Sequence, residues 1–200
     1  MPVMTITLIE GYDAATRGAL EKRLTDAVHA TIGAPPDGIT VLVHEVPAEN
    51  YMRGGRTRTP GPPTSAADAV VRAFLAAMEA RDLDTAEAYL AEGFSMLFPG
   101  GRRFTTLAAL VDWAKGRYRH VQKQYERIEE VVVDDGVAVY AFGTLAGTWL
   151  DGTAFEGIRF IDRFTVTAGK LVDQRVWNDM GEARPQSPSK IASDSIAETT

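Results

Sequence analysis

The chain has 200 residues, no cysteine and a formal net charge of -6, with 21 Lys and Arg against 27 Asp and Glu. The missing cysteines exclude a disulfide scaffold and thiolate chemistry. The acidic balance argues against nucleic acid as a partner, and no apolar run is long enough to span a membrane. Pro2 opens a patterned segment with no basic and apolar leader before it, so a cytoplasmic protein acting on small molecules is expected. Val3-Met4-Thr5-Ile6-Thr7-Leu8-Ile9 alternates as a strand does. Pro2 in front of it has two readings. It is an ordinary start for an edge strand. Alternatively, if Met1 is trimmed, as aminopeptidases do before a small residue, its nitrogen becomes a secondary amine that can take and return protons, which no internal proline can do. Asp13 then caps a helix running to Ile32, with Leu20, Leu24, Ala27 and Val28 on one stripe and Gly33 as the stop. Pro35-Pro36-Asp37-Gly38 makes a loop, Ile39 to Val46 a second strand, and Asn50 to Gly55 a hairpin segment. A β-α-β unit of this size buries little and leaves strand edges open, so self-association into trimers or hexamers is expected.

Residues 2 to about 58 resemble the 4-oxalocrotonate tautomerase family. The resemblance lies in the Pro2 start, the Leu8-Ile9-Glu10-Gly11 strand end, the Ala34-Pro35 loop and the Tyr51 to Gly55 hairpin. It implies that Pro2 serves as general base and then acid in keto-enol proton transfer, with no cofactor, beside an aromatic residue, here Tyr51, that keeps the pocket dry. It also implies two arginines that grip a dicarboxylate or keto acid. Those positions are Tyr12 and Thr40 here, which turns the expected substrate away from that class. Arg53 and Arg17 could supply positive charge from other directions, or could simply be solvated.

Gly54 to Thr64 is too rich in Gly and Pro for a strand or helix. It divides the chain into a first domain at 1–58, a linker at 59–64 and a second domain at 65–182, followed by a Ser-, Pro- and Ala-rich tail at 183–200 that is expected to be disordered. The second domain opens with Ser65 and Asp68 at capping-box spacing, before a helix carrying Val70, Ala73, Phe74, Ala77 and Met78 on one face. A shorter helix follows from Asp84. Phe94 to Phe98 reads as a strand broken at Pro99-Gly100-Gly101, and Thr106 to Tyr118 as a third helix with Leu107, Leu110, Val111 and Ala114 inward. Four long strands are predicted at 121–133, 137–149, 153–167 and 170–180, separated by Asp134-Asp135-Gly136, Asp151-Gly152 and Ala168-Gly169.

Alternation places Asp162 on one face with Ile158, Phe160, Phe164 and Val166, while Arg159, Arg163 and Thr165 face away. A carboxylate in an apolar row is a candidate acid, base or hydrogen-bond donor. The other reading is a structural carboxylate paired with Trp113, Trp149 or Trp177, or exposed by a β-bulge. No inward cation is expected from the alternation. The ligand suited to such an interior is mostly apolar, aromatic or polycyclic, with one carbonyl or hydroxyl. Phe74, Phe98, Trp113 and Phe160 are the expected walls, with Trp177 and Asn178 near the strand end as further contacts. His29, His44 and His120 stand far apart in sequence, so no metal site is expected.

Helices followed by a curved antiparallel meander resemble the nuclear transport factor 2-like fold, a cone whose sheet wraps a helix and encloses a pocket; the resemblance also implies pairing into a dimer through that sheet. The Ala-Met-Glu-Ala-Arg-Asp-Leu-Asp passage at 77–84 and Asp162-Arg163-Phe164 followed by Ala168 to Val172 are similar to its SnoaL-like and steroid-isomerase branches, over about 65–180. In the steroid-isomerase branch the aspartate matching Asp162 helps hold an oxyanion. The positions of its proton-moving acid and tyrosine are Phe98 and Phe74 here, so that route is not expected. The resulting expectation is an α+β chain, a β-α-β tautomerase unit followed by a cone-shaped α+β barrel. Two kinds of function stay open. One is an isomerase that uses Pro2 on a small aromatic or polyketide-like compound, which the cone binds or transforms further. The other is a ligand-binding, oligomerising protein, or a SnoaL-like cyclase, dehydratase or hydrolase whose first domain serves only assembly.

Overall fold

The computed structural model describes residues 1–61 and 65–184. The chain divides into two units, the first ending at Pro63 and the second beginning at Thr64. Residues 62–64 of the expected linker and 185–200 of the expected tail lie outside the described residues. Among those described, no helix is long and apolar enough to cross a membrane.

The first unit is built from β1 (Val3–Ile9), α1 (Ala14–Ile32), β2 (Thr40–Val46) and a hairpin of β3 (Met52–Arg53) with β4 (Arg56–Thr57). β1 and β2 pair in parallel, Val3 opposite Thr40 and Ile9 opposite Val46. α1 begins where the Asp13 carboxylate accepts the Thr16 N–H at 2.7 Å. It ends where Gly33 adopts φ 70°, a left-handed turn that costs other residues strain, and donates to the His29 carbonyl. The Thr16 hydrogen bonds hold the Asp13 carboxyl below its ordinary value of 3.8. This support for the helix start is therefore present above that value and is lost as pH falls through the depressed one. Met4, Ile6, Val41 and Val43 are half-buried, whereas Val3, Thr5, Thr7, Leu42 and His44 alternate with them on an exposed face. None of residues 1–61 is fully buried.

The second unit runs α2 (Ala67–Glu79), α3 (Leu83–Glu87), β5 (Leu90–Phe98), β6 (Arg102–Phe104), α4 (Leu107–Lys115), β7 (Tyr118–Val133), β8 (Gly136–Trp149), β9 (Ala154–Thr167), β10 (Lys170–Asn178) and α5 (Met180–Ala183). Its six strands are ordered β6-β5-β10-β9-β8-β7. Only β5 and β10 pair in parallel. Val70, Val71, Phe74 and Leu75 of α2 pack into one core with Met96, Val139, Ala141, Phe164 and Leu171 of the sheet. A second cluster gathers Leu145, Trp149, Phe155, Ile158, Phe160 and Met180. The pairing of β7 with β8 slips at Tyr118/His120 and at Tyr125/Arg127, and such bulges bend and twist a strand so that the sheet can curl.

Local expectations differ from the structure at several points: the strand expected from Phe94 already begins at Leu90, and the last strand ends at Asn178 rather than at 180. The Ser65–Asp68 capping box does not form: Ala66 stands at the helix N-cap with no side-chain bond, and the Asp68 N–H donates instead to Glu130 Oε1 at 2.8 Å. The third helix stops at Lys115 rather than Tyr118, because Tyr118 pairs with Trp149 and opens β7. The short β6 and α5, of 3 and 4 residues, are too brief to carry a periodic signal.

Gly143 of β8 sits directly against the backbone of β7. A Cβ there would stand 1.9 Å from the Gln124 carbonyl oxygen and 3.0 Å from the Phe160 ring, so the backbone of β7 would have to give way. Gly143→Ala is expected to cost about 3 kcal/mol. A urea titration should show this as a lower midpoint with an unchanged slope. An unchanged midpoint would contradict the described approach of the two strands.

Candidate functional site

In the first unit Pro2 lies half-buried just ahead of β1, and its carbonyl accepts the Thr40 N–H at 3.1 Å. Pro2 and Thr40 are therefore neighbours. While Met1 is attached, the Pro2 nitrogen is a tertiary amide with no proton and no basic lone pair. Tyr12 and Tyr51 follow the far ends of β1 and β2. Since both strands run the same way from the Pro2 end, the strand ends that precede those residues stand roughly 23 Å from it at about 3.3 Å per residue. At that far end the Tyr12 carbonyl accepts from Arg17 Nη1, and Arg17 also pairs with Glu45 at 3.2 Å, so its charge is already matched. Tyr51 is half-buried and its carbonyl accepts the Arg58 N–H at 3.3 Å. Arg53 is exposed and faces Arg56 across the hairpin. One copy of the chain thus brings Pro2 to Thr40, and Tyr12 to Arg17, without joining the two groups.

The second unit holds a cavity of about 290 Å³. Phe74, Met78, Phe98, Leu110 and Val121 give it apolar walls. Lys123, Tyr125 and Gln174 also line it, and the exposed Glu79, Arg81, Arg119 and His120 stand at its mouth. Behind Lys123 is Asp162, which is 0% exposed. Lys123 Nζ donates to Asp162 Oδ2, while Asp162 Oδ1 is buried without a protein partner. The same ammonium lies 4.7 Å above the Phe160 ring centroid, a cation-π contact. Tyr125 meets Phe160 edge-on at 5.9 Å. Partial burial first, and then the Asp162 and Glu79 carboxylates, push the Tyr125 hydroxyl well above its ordinary value of 10, so it stays a protonated donor.

The residues of β8 explain how a lysine of β7 reaches an aspartate of β9. Lys123 stands opposite Leu145, and Asp162 opposite Ala141. Between them the buried positions of β8 are Ala141 and Gly143, too small to block the path. The expectation of an interior without cations is therefore corrected. Alternation through Val121, Lys123 and Tyr125 carries a charge inward, and that strand pattern was the signal that could have revealed it. Asp162 is partnered by this lysine and by none of the three tryptophans. Arg159 and Arg163 do face outward, where they pair with Asp179 at 2.7 Å and Asp173 at 3.1 Å.

Phe74 and Phe98 line the cavity; the other expected walls lie elsewhere. Trp113 is held between Phe98 and Phe104, with the Arg117 guanidinium 4.4 Å over its ring. Phe160 belongs to the second core cluster, beneath Lys123. Trp177 is 50% exposed, because Gln174 and Val176 take the inward positions of β10. Asn178 Oδ1 accepts the Met180 N–H at 3.2 Å, where the chain enters α5. Among the described residues no cluster of His, Asp and Glu could hold a metal ion.

Comparison with known proteins divides the chain in the same way. Residues 2–58 match the family model described as tautomerase enzyme, and residues 71–174 match that of the SnoaL-like domain. A probable tautomerase of Ralstonia nicotianae is 42% identical over 55 residues, covering 28% of this chain and 79% of that protein. A probable tautomerase of Bacillus cereus is 36% identical over 56 residues, covering 28% of this chain and 92% of its own length. Among solved structures, a nuclear transport factor 2-like protein of unknown function from Burkholderia pseudomallei superposes with a TM-score of 0.50 at 17% identity, covering 58% of this chain and 92% of that one.

Proposed function

We infer the function from the families to which the chain belongs, the tautomerase family through residues 2–58 and the SnoaL-like family through residues 71–174. It is an isomerase-type enzyme of the tautomerase kind. We propose that Pro2, freed by removal of Met1, is the group that moves the proton. The observation that carries this reading is the match to tautomerases beginning at residue 2, directly ahead of β1 and beside Thr40. A neutral secondary amine can take the enol O–H proton and return it to carbon, provided that apolar surroundings or nearby cations favour the unprotonated form. Tyr12 and Thr40 carry no charge to grip a second carboxylate, which favours an aryl or polyketide-like enol over a dicarboxylate.

Proton transfer at Pro2 with Tyr51 as the drying aromatic needs a second copy of the chain, since both groups lie at opposite ends of β1 and β2 in one copy. The exposed face of Val3, Thr5, Leu42 and His44, in a unit none of whose described residues is buried, is suited to such an assembly. The SnoaL-like unit would bind the same or a related apolar compound along Phe74 and Phe98. An intact-mass measurement on the purified full chain tests the premise. The expected species lacks Met1. A chain that keeps it has no basic nitrogen at Pro2, which would overturn the mechanism and leave ligand binding and assembly as the remaining role.

A further inference from the structure

We propose that the cavity of the SnoaL-like unit is an oxyanion site, in which Lys123 receives the ionised oxygen of an aromatic enolate or phenolate and Asp162 acts as the positioning residue behind it. The proposal rests on reading that cavity as a ligand site and is independent of Pro2. An ammonium has three donors. One goes to Asp162 Oδ2, and no other described residue accepts from Lys123. Phe160 closes one side of the ammonium, so the remaining donors are left for the cavity that Lys123 lines. Stability alone does not account for the pair, because burying the Asp162 carboxylate beside a partly buried ammonium costs several kcal/mol and well-packed apolar side chains in their place are often as stable. The orphaned Asp162 Oδ1 adds to that cost. What the pair supplies is a fixed, charged donor in a largely apolar space, where hydrogen bonds to a developing oxyanion are strongest.

The surrounding charges select the ligand further. Lys123, Arg81 and Arg119 bring positive charge to the cavity against Asp162 and Glu79, with Arg119 also facing Asp151. Arg81 is at φ 61°, following α2 at a left-handed position where glycine would cost about 1 kcal/mol less, so a cation occupies the mouth despite backbone strain. Tyr125 lines the same space, and its hydroxyl stays protonated. A cavity of about 290 Å³ suits one or two aromatic rings.

The test uses two matched probes on the full chain, 4-nitrophenol and 4-nitrotoluene, which differ in the acidic oxygen. Calorimetry measures binding, and visible absorbance measures how much bound nitrophenol has lost its proton to solvent. Bound nitrophenol is expected to be about tenfold more ionised than the free probe at the same pH, equivalent to about 1.4 kcal/mol. In the neutral pair Lys123→Gln with Asp162→Asn, which removes both charges and keeps polar groups at both positions, 4-nitrotoluene should bind as before and the extra ionisation should vanish. Lys123→Arg should retain it. If wild type binds both probes with no change in ionisation, or if the effect persists in the neutral pair, Lys123 is not the receiving group although the cavity still binds ligands. If neither probe binds wild type, the cavity reading falls together with the proposal. The wild-type measurement alone can decide against Lys123, whatever the stability of the variants.

Discussion

Replacing Pro2 by alanine is expected to slow enol-to-keto conversion of an aryl enol by about 10²-fold or more, the scale of a positioned proton-transfer group. That factor corresponds to about 2.7 kcal/mol in the barrier. The alanine amine is primary and freer to rotate, so a residual rate is expected rather than complete loss. The pH profile supplies a second readout. Only the unprotonated amine can accept a proton, so the wild-type rate should rise with pH through a limb near neutrality and level off above it. Equal rates for the two proteins would overturn the role of Pro2. A limb at the position of a free, solvated amine would argue that no apolar pocket surrounds it.

Placing a charge on the open face of the first unit is expected to have an effect of similar size. Leu42 is 45% exposed, lies opposite Thr5 and shares its face with Val3, which is 60% exposed. If that face is covered by another copy, Leu42→Asp buries an unpaired carboxylate, a cost large enough to break a modest interface. Sedimentation of the full chain should fall from an assembly to the single-chain mass. Conversion of the aryl enol should drop by about 10²-fold with it, because the Pro2 and Tyr51 ends no longer meet. The helical signal of α1, which Leu42 does not cap or terminate, should remain. A single-chain species with full activity would defeat the shared site, and a wild-type chain that already sediments alone would defeat the assembly.

Some of this protein is legible in the sequence by itself because the determining groups are close along the chain. Asp13 meets Thr16 three residues on, and Gly33 answers a carbonyl of the last turn, so α1 carries its own start and stop. Asp162 falls on the apolar face because burial in β9 alternates from Ile158 to Phe164, and the two families are carried by such local runs. The chemistry around these elements depended on distant partners. The Asp68 N–H is taken by Glu130, 62 residues away, which dissolves a capping box that looked complete. Lys123 reaches Asp162 across 39 residues of chain, through a β7–β8–β9 register and past the small side of β8, none of which a periodic pattern specifies. The separation of Pro2 from Tyr12 and Tyr51 likewise follows from the parallel pairing of β1 with β2. Caps and alternation are short-range steric and hydrogen-bonding preferences that each residue carries with it. Which charge faces which cavity is settled only when strand register and bulges bring remote segments to the same point.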